Sequence, residues 1–458
     1  MDTRKISFDI LKKIESEDTF VGEVLDMALR HLQFNDKRDR AFITRLVEGT
    51  VERKISLDFL IVKFSKNAPD VNTRIILRIG IYQIKYMEAV PDRAAIDESV
   101  KLVKTIGLSG REGYVNAVLR KVATLKEEKK LDSLLVSRMD VRYSTPQWLC
   151  DLLIKEFGKD NAKLILEDQF AEHDTVIRIN SLKTNKQELK KLFEDKGITV
   201  KDGILSDRCL RISGYDSIRR LPGYKEGLFV VQDETSVYTV EHAGIKPGDK
   251  ILDMCASPGG KSMLAYELAT DGNVAGIVVS HDISKKKLEI IKENAERLSI
   301  PCHSEQNESV GESHSDRSEE TYIYQPGITV EWGDATEANE YYVNLPEEDK
   351  FDVVISDVPC SGLGIIGRKN DIKYHVTPES LSSLAEQGLT ILRNASKYVK
   401  KGGHICFSTC TINPTENGHV VRAFLEDSNE FSIVEERTFI QGIDGSDGFY
   451  FCILTKYN

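Results

Sequence analysis

Two cysteines stand where a thiol can reach a ligand. Cys360 lies in SDVPCSGLG, residues 356–364, directly after the apolar run 351–355. Cys410 lies in FSTCTINPTEN, residues 407–417, directly after the run 403–407. Each run reads as a strand, so each cysteine follows a strand end. The thiolate is the reactive form of such a group. The ordinary fate of a cysteine in a chain of this size is buried packing. The other six, Cys150, Cys209, Cys255, Cys302, Cys406 and Cys452, show no CxxC pair and no Cys/His spacing for zinc. They are expected to be thiols, and no metal site is expected. Two strand-end cysteines at one edge call for a chemical reason.

A third motif, DMCASPGGK at 253–261, follows the run 250–253 and opens a helix. In an open α/β sheet, ligands bind beyond the carboxyl ends of the strands. Gly259 and Gly260 let backbone approach a ligand closely, and the helix start offers N–H donors. The spacing is not that of a Walker loop. Three carboxylates accompany it: Asp282 after the run 274–279, Asp334 after 328–330, and Asp357 after 351–355. A carboxylate in the position of Asp282 can accept both ribose hydroxyls of an adenosine-bearing cofactor. Asp334 is placed to meet an adenine amino group. Any one of these aspartates alone would be an ordinary cap or turn residue. Three at successive strand ends beside a glycine turn point to a nucleoside-like cofactor.

Methylation at carbon 5 of a cytosine would use both features. That carbon is a poor nucleophile. A thiolate adding to carbon 6 makes it enamine-like, so that it can attack a methyl sulfonium. The C5 proton must then leave before the thiolate is eliminated. Covalent catalysis divides one hard step into easier ones.

The elements that must hold these residues fall into three regions. Residues 1–140 carry helical periodicity, as in IILRIGI at 75–81, broken by turn signals near 89–92 and 107–110. They predict an all-α bundle of six or seven helices. Residues 141–238 show short β-like runs at 176–180, 209–212 and 227–231, with a helix over 185–196. They predict a small α+β module. Residues 239–458 alternate apolar strands with helices, as in a parallel sheet covered on both faces. Late runs at 431–434 and 449–454 would add an antiparallel hairpin. The stretch 302–320 holds five Ser, five Glu and two His. It cannot bury enough surface to order itself and predicts a disordered insertion.

The net charge of −11 argues against a nucleic-acid partner, but its distribution does not. Residues 1–140 carry 26 Lys and Arg against 22 Asp and Glu, hence +4, which leaves −15 for the rest. A basic module can hold phosphates while an acidic domain does chemistry. No stretch approaches the roughly 20 apolar residues of a membrane span. The N-terminus is amphipathic and has no signal core. A cytoplasmic protein without membrane contact is expected.

The motifs DMCASPGGKS, SDVPCSGLG and FSTCTINPTEN resemble those of the RNA cytosine-5 methyltransferases. Residues 1–140 are similar to the NusB-type helical RNA-binding domain, in ILRIGIYQIKYMEAVPDRAAIDESV and GYVNAVLRKV. RIN at 178–180 and VQDETS at 231–236 resemble the small linker module of the same enzymes. The three-part order is similar to that of the RsmB-type bacterial 16S rRNA methyltransferases. The resemblance implies a Rossmann-like class I methyltransferase domain, S-adenosylmethionine as cofactor and 16S rRNA as partner, with no obligate protein partner. It implies that Cys255, Ala256, Ser257, Pro258, Gly259, Gly260 and Lys261 line the cofactor. Asp282 would hold the ribose, Asp334 would lie near the adenine, and Asp357 would sit between cofactor and base. Cys410 would be the nucleophile, and Cys360 would assist proton loss and product release. Val358 departs from the usual Ala, and Thr415 stands where an acidic residue is common. No catalytic group is missing.

Other readings remain open at this level. The same chemistry could act on another RNA such as tRNA. A non-catalytic RNA-binding factor leaves the paired cysteines unexplained, and so does a methyltransferase for small molecules or proteins.

Overall fold

The computed structural model describes residues 2–31, 36–136, 138–304 and 324–457. They divide into two compact units. One runs up to Ala171 and includes Ile366–His375. The other comprises Glu172–Ile365 and the chain from Val376 onward.

The first unit is helical. Among the described residues seven of its helices before residue 140 have 11 or more residues: Thr3–Glu17, Val21–His31, Lys37–Glu52, Lys54–Phe64, Val71–Tyr86, Asp92–Thr105 and Glu112–Glu127. Val71–Tyr86 is buried on every side from Ile75 to Ile84, as a central helix must be. It buries Ile75, Ile76, Leu77, Ile79, Ile81 and Ile84. Asp70 caps it by accepting from the Thr73 N–H at 2.9 Å. Its one buried guanidinium, Arg78, is paired with Asp58 at 2.6 and 2.7 Å and with Glu15 at 2.6 Å.

This unit continues past residue 140, where composition placed a change of character. The helix Gln147–Asp168 buries Leu149, Cys150, Leu153, Ile165 and Leu166. Beyond it, Gln169 is buried and donates to the Tyr143 and Leu166 carbonyls at 3.1 and 2.7 Å. The segment Ile366–His375 also belongs here. Lys373 donates to Gln169 Oε1 at 2.7 Å and to the Glu52 carbonyl at 3.0 Å. The Asp371 carboxylate accepts from the Val21 N–H at 2.6 Å. Such long-range pairings leave no periodic signature in the chain.

The second unit begins with a four-stranded antiparallel sheet. Its strands are β1 (Thr175–Ile179), β2 (Thr199–Asp202), β3 (Cys209–Ser213) and β4 (Phe229–Val231), in the order β2-β3-β1-β4. The helix Lys186–Glu194 crosses it and buries Leu189 and Phe193. β2 is an edge strand whose Thr199, Lys201 and Asp202 are exposed, so it carries little apolar signal.

The main sheet has eight strands: β5 (Lys250–Asp253), β6 (Ile277–Asp282), β7 (Cys302–Ser304), β8 (Gly327–Trp332), β9 (Phe351–Asp357), β10 (Val399–Thr409), β11 (Phe431–Phe439) and β12 (Phe449–Lys456). Their order is β11-β12-β10-β9-β5-β6-β8-β7. β5 to β10 pair in parallel, whereas β12 runs antiparallel to β10 and β11. Successive residues serve opposite faces. Ile251, Val278 and Val353 join the core on one side, and Leu252, Val279 and Val354 join the core on the other. The Rossmann-like α/β reading and the final antiparallel pair therefore hold.

Two local readings change. β6 starts at Ile277, because the backbone N–H groups of Asn273 and Val274 turn onto the Asp271 carboxylate at 2.8 and 3.0 Å. Cys302–Ser304 is a strand, paired in parallel with β8 from Ile328 to Val330. The remainder of the expected insertion lies outside the described residues. Among the described residues no helix is long and apolar enough to cross a membrane.

The RIN and VQDETS motifs join the small sheet to the main one. Arg178 forms an ion pair with Glu267 and donates from Nε to Gln232 Oε1 at 2.8 Å. Asn180 Nδ2 donates to the carbonyls of Gly227 at 2.8 Å and Leu298 at 3.2 Å. A Cβ on Gly227 would lie 2.0 Å from the Arg297 carbonyl, so only glycine permits this approach. Buried charges of this kind need partners.

Candidate active site

Chain order reverses between β5 and β9. From β5 the chain moves outward through β6 and β8, then returns to β9 and β10 on the other side. That is the switch point at which open α/β sheets bind ligands. The carboxyl ends of these strands carry Asp253, Asp282, Asp357 and the approach to Cys410. Register places Asp253 beside Ser280 and Ile355, and Asp357 beside Ser408.

The glycine turn is shaped by its own bonds. Gly259 has φ +97° and its N–H donates to the Ala256 carbonyl at 2.6 Å. A Cβ there would meet Met263 Cε at 3.0 Å. The Ala256 N–H donates to the His281 carbonyl at 2.8 Å, which fastens the turn to β6. Helix Gly260–Leu268 then begins with its amide groups at the sheet edge.

Asp253 is 1% exposed and accepts from Ser262 Oγ at 2.6 Å. Burial raises its carboxyl to about 6, against the pull of that bond. Its Oδ1 has no hydrogen-bond partner among the described residues. A buried acceptor left open at a ligand edge suits a donor from a bound molecule. Asp282 is nearly buried. Its Oδ1 accepts from the Ser284 N–H at 3.0 Å, and Lys287 lies 4.0 Å from its Oδ2. Asp334 uses Oδ1 to close a turn, accepting from the Thr336 N–H at 2.9 Å and the Thr336 hydroxyl at 2.7 Å. Its placement after β8 is as expected, but part of its hydrogen-bonding capacity is already used.

Lys261 reaches from the helix start to β9. Its ammonium donates to Asp357 Oδ2 at 2.6 Å and to Ser236 Oγ at 3.3 Å. Burial pulls its pKa down, but Asp357, Asp253 and Cys410 together raise it. Asp357 Oδ1 accepts from Ser408 Oγ at 2.8 Å. Cys360 and Cys410 follow the two adjacent strands, and their sulfurs are 3.2 Å apart. The hydrogen bond to Cys410, and then burial, push the Cys360 thiol well above its ordinary value. The two thiols therefore lose protons one at a time. Lys261 is electrostatically coupled to Cys410. None of the eight cysteines forms a disulfide.

The structure thus gathers Cys255 to Lys261, Asp282, Asp334, Asp357, Cys360 and Cys410 along consecutive strand ends of one sheet. Two further residues at this edge carry no functional signal in the sequence. Asp253 opens its motif but looks like an ordinary strand-end residue. Glu416 belongs to a quoted motif, and only its hydrogen bonds show what it touches.

Residues 243–449 match the family described as 16S rRNA methyltransferase RsmB/F. Residues 1–124 match the NusB family, and 145–219 match the ferredoxin-like domain of RsmF/B-like methyltransferases. The probable ribosomal RNA small subunit methyltransferase B of Bacillus subtilis is 31% identical, over 99% of this chain and 98% of that one. The chain belongs to the RsmB/F family. It is a methyltransferase. In this family setting the helical unit contains the NusB-like region, and the ferredoxin-like match takes in the helix Gln147–Asp168 and strands β1 to β3. The crystal structure of PH0851 shares the fold with a TM-score of 0.76 at 19% identity, covering 99% of this chain and 98% of that one. NSun6 from Pyrococcus horikoshii with SFG gives 0.56 at 18% identity, covering 68% and 98%.

Proposed function

We propose that this chain methylates carbon 5 of a cytosine in 16S rRNA, in the cytoplasm, with S-adenosylmethionine as methyl donor. One observation carries this reading most directly. Two thiols lie 3.2 Å apart at the ends of β9 and β10, beside the Lys261–Asp357 pair. A methyl transfer that needed only a positioned donor would have no use for them.

The site fits an adenosine-bearing donor on its own geometry. Asp253 keeps a buried acceptor open, Gly259 holds a left-handed turn that side chains rarely adopt, and Asp282 ends β6. Residues Cys255 to Lys261, with Asp282 and Asp334, would hold the donor. When bound, it supplies a methyl group on a sulfonium.

The rest is done by the chain. The thiol pair loses one proton to solvent, and Lys261 favours the charge on Cys410. Cys410 Sγ bonds to C6 of the cytosine, and the C5–C6 π pair becomes available at C5 for methylation. The Lys261 cation offsets negative charge that addition places on the base. Cys410 is now a thioether, so the hydrogen bond that most held the Cys360 proton is gone, as is the like-charge penalty, and Cys360 gives that proton to solvent against the remaining pull of burial. Cys360 then takes the C5 proton. The C5–H pair re-forms the double bond, and the Sγ–C6 bond breaks with its electrons returning to Cys410. To expose C6, the base must leave its stack. The NusB-like region, with its +4 balance over residues 1–140, would supply phosphate contacts.

Bisulfite mapping of rRNA incubated with the donor and either wild-type protein or Cys410→Ala tests this. One protected cytosine in 16S rRNA is expected with wild type and none with the variant. Methylation confined to tRNA, or to another atom, would replace this reading.

A further inference from the structure

Glu416 is 2% exposed and lies in the loop that follows Cys410. Its carboxylate makes three short bonds. Oε2 accepts from the Ser361 backbone N–H at 2.7 Å. Oε1 accepts from Ser361 Oγ at 2.7 Å and from Asn413 Nδ2 at 2.9 Å. Ser361 is the residue after Cys360, and Asn413 is three residues past Cys410. One carboxylate therefore ties together the two loops that present the thiols.

The surrounding bonds share this purpose. Ser361 Oγ and Thr411 Oγ1 are 2.8 Å apart. The Thr409 hydroxyl donates to Asn417 Oδ1 at 2.6 Å, and Asn417 Nδ2 donates to the Thr411 carbonyl at 2.9 Å. The Gly364 N–H donates to the Cys410 carbonyl at 3.1 Å. Among the described residues Glu416 forms no ion pair, and its burial pushes its carboxyl up. Retaining an acidic group there without a counter-charge is costly. A neutral side chain of the same size would suffice merely to fill the space.

We propose that Glu416 is the positioning residue of the thiol pair, gripping Ser361 and Asn413 so that Cys360 stays within reach of the base attached to Cys410. The inference rests on the covalent reading above and adds a residue to it. Attack needs only Cys410 and a bound base. Release needs both thiols in register: the C5–H bond breaks, its proton goes to Cys360, and the Cys410 Sγ–C6 bond breaks as the ring double bond re-forms. Loosening the grip should therefore slow release more than attack.

The test compares wild type, Glu416→Gln and Cys360→Ala on full-length protein with rRNA and S-adenosylmethionine. Glu416→Gln keeps shape but turns one acceptor into a donor facing other donors. Its kcat should fall about ten- to a hundredfold, the scale of a small misplacement at a reacting centre. The KM for RNA should fall along with kcat, because enzyme is held as adduct, while the calorimetric Kd for S-adenosylmethionine should stay within about twofold of wild type, since ground-state binding is untouched. A protein–RNA adduct that survives denaturing gels should accumulate, as in Cys360→Ala. A residue that only holds up the fold would lower melting temperature and active fraction without accumulating adduct. Should Glu416→Gln fail to fold, Ser361→Ala removes the hydroxyl contacts to Glu416 and Thr411 while leaving the amide bond to Glu416, and it should accumulate adduct above wild type. Adduct in Cys360→Ala, with none in a folded Glu416→Gln or in Ser361→Ala, would overturn the positioning role while leaving the covalent reading intact. No adduct in Cys360→Ala together with turnover in Cys410→Ala would overturn both.

Discussion

Lys261 Nζ donates to Asp357 Oδ2 at 2.6 Å, which links the glycine turn after β5 to the end of β9. The pair joins the cofactor edge to the thiol edge across the switch point of the sheet. Lys261 is almost buried and Asp357 partly exposed. Removing the cation should cost more than one surface ion pair would suggest.

Lys261→Met should lower kcat by about a hundredfold, the scale of losing one preorganised electrostatic group. The raised Lys261 pKa adds to folded stability below its ordinary value of 10.5, and that contribution is lost only as pH climbs through the still higher folded value. The Lys261 ammonium therefore stays charged throughout the neutral range. Rates measured across that range should show no inflection attributable to Lys261. A Lys261→Met enzyme with wild-type kcat would remove the cation from the chemistry.

The thiols should separate by role. Cys410→Ala should abolish both turnover and adduct, because no nucleophile remains. Cys360→Ala should still attack and methylate but stall before release, so a stable adduct accumulates. The double variant should lose it again. Adduct in Cys410→Ala and none in Cys360→Ala would mean the assignments are reversed.

Asp282→Ala should weaken S-adenosylmethionine binding about ten- to a hundredfold, matching roughly 1.5–3 kcal/mol for charge-assisted bonds. Asp282 Oδ1 also accepts from the Ser284 N–H, so the alanine variant loses a turn bond as well. Asp282→Asn keeps an acceptor for that turn and isolates the charge. Calorimetry showing unchanged affinity in both variants would exclude Asp282 from the site.

Lys373 gives the helical unit a pH signature. It is fully buried, and burial lowers its ammonium to about 7, with Glu52 pulling upward and Arg53 downward. Unfolded, it titrates near 10.4. Between those values the unfolded chain holds a proton the folded chain lacks, so stability should rise with pH from about 7. Buried Cys150, raised to about 12 from 9.0, opposes this above its ordinary value, where only the unfolded chain gives up the proton. Urea unfolding over a pH series should show a rising limb that Lys373→Met abolishes. A flat wild-type profile would mean Lys373 stays charged when folded.

Much of this protein is legible in its residue order. Apolar strands alternating with helices determine a parallel sheet, since only a sheet covered on both faces tolerates unbroken apolar runs. Periodicity marks the helices of the first unit, and the glycine turn and strand-end cysteines mark the active edge. These signals are local: each depends on residues a few positions apart. β2 and Cys302–Ser304 escaped because edge strands carry little apolar pattern.

Tertiary structure alone decided the rest, because it depends on pairs far apart in the chain. Nothing near Ser361 announces that its amide is held by Glu416, 55 residues on. Nothing near residue 366 announces that Lys373 is buried against Glu52 and Gln169 in the helical unit. RIN and VQDETS are visible as motifs, but their work is seen only when Arg178 meets Glu267 and Gln232. The 3.2 Å between Cys360 and Cys410 has the same origin. Sequence places each thiol after a strand, and parallel pairing of β9 with β10 brings the two ends together.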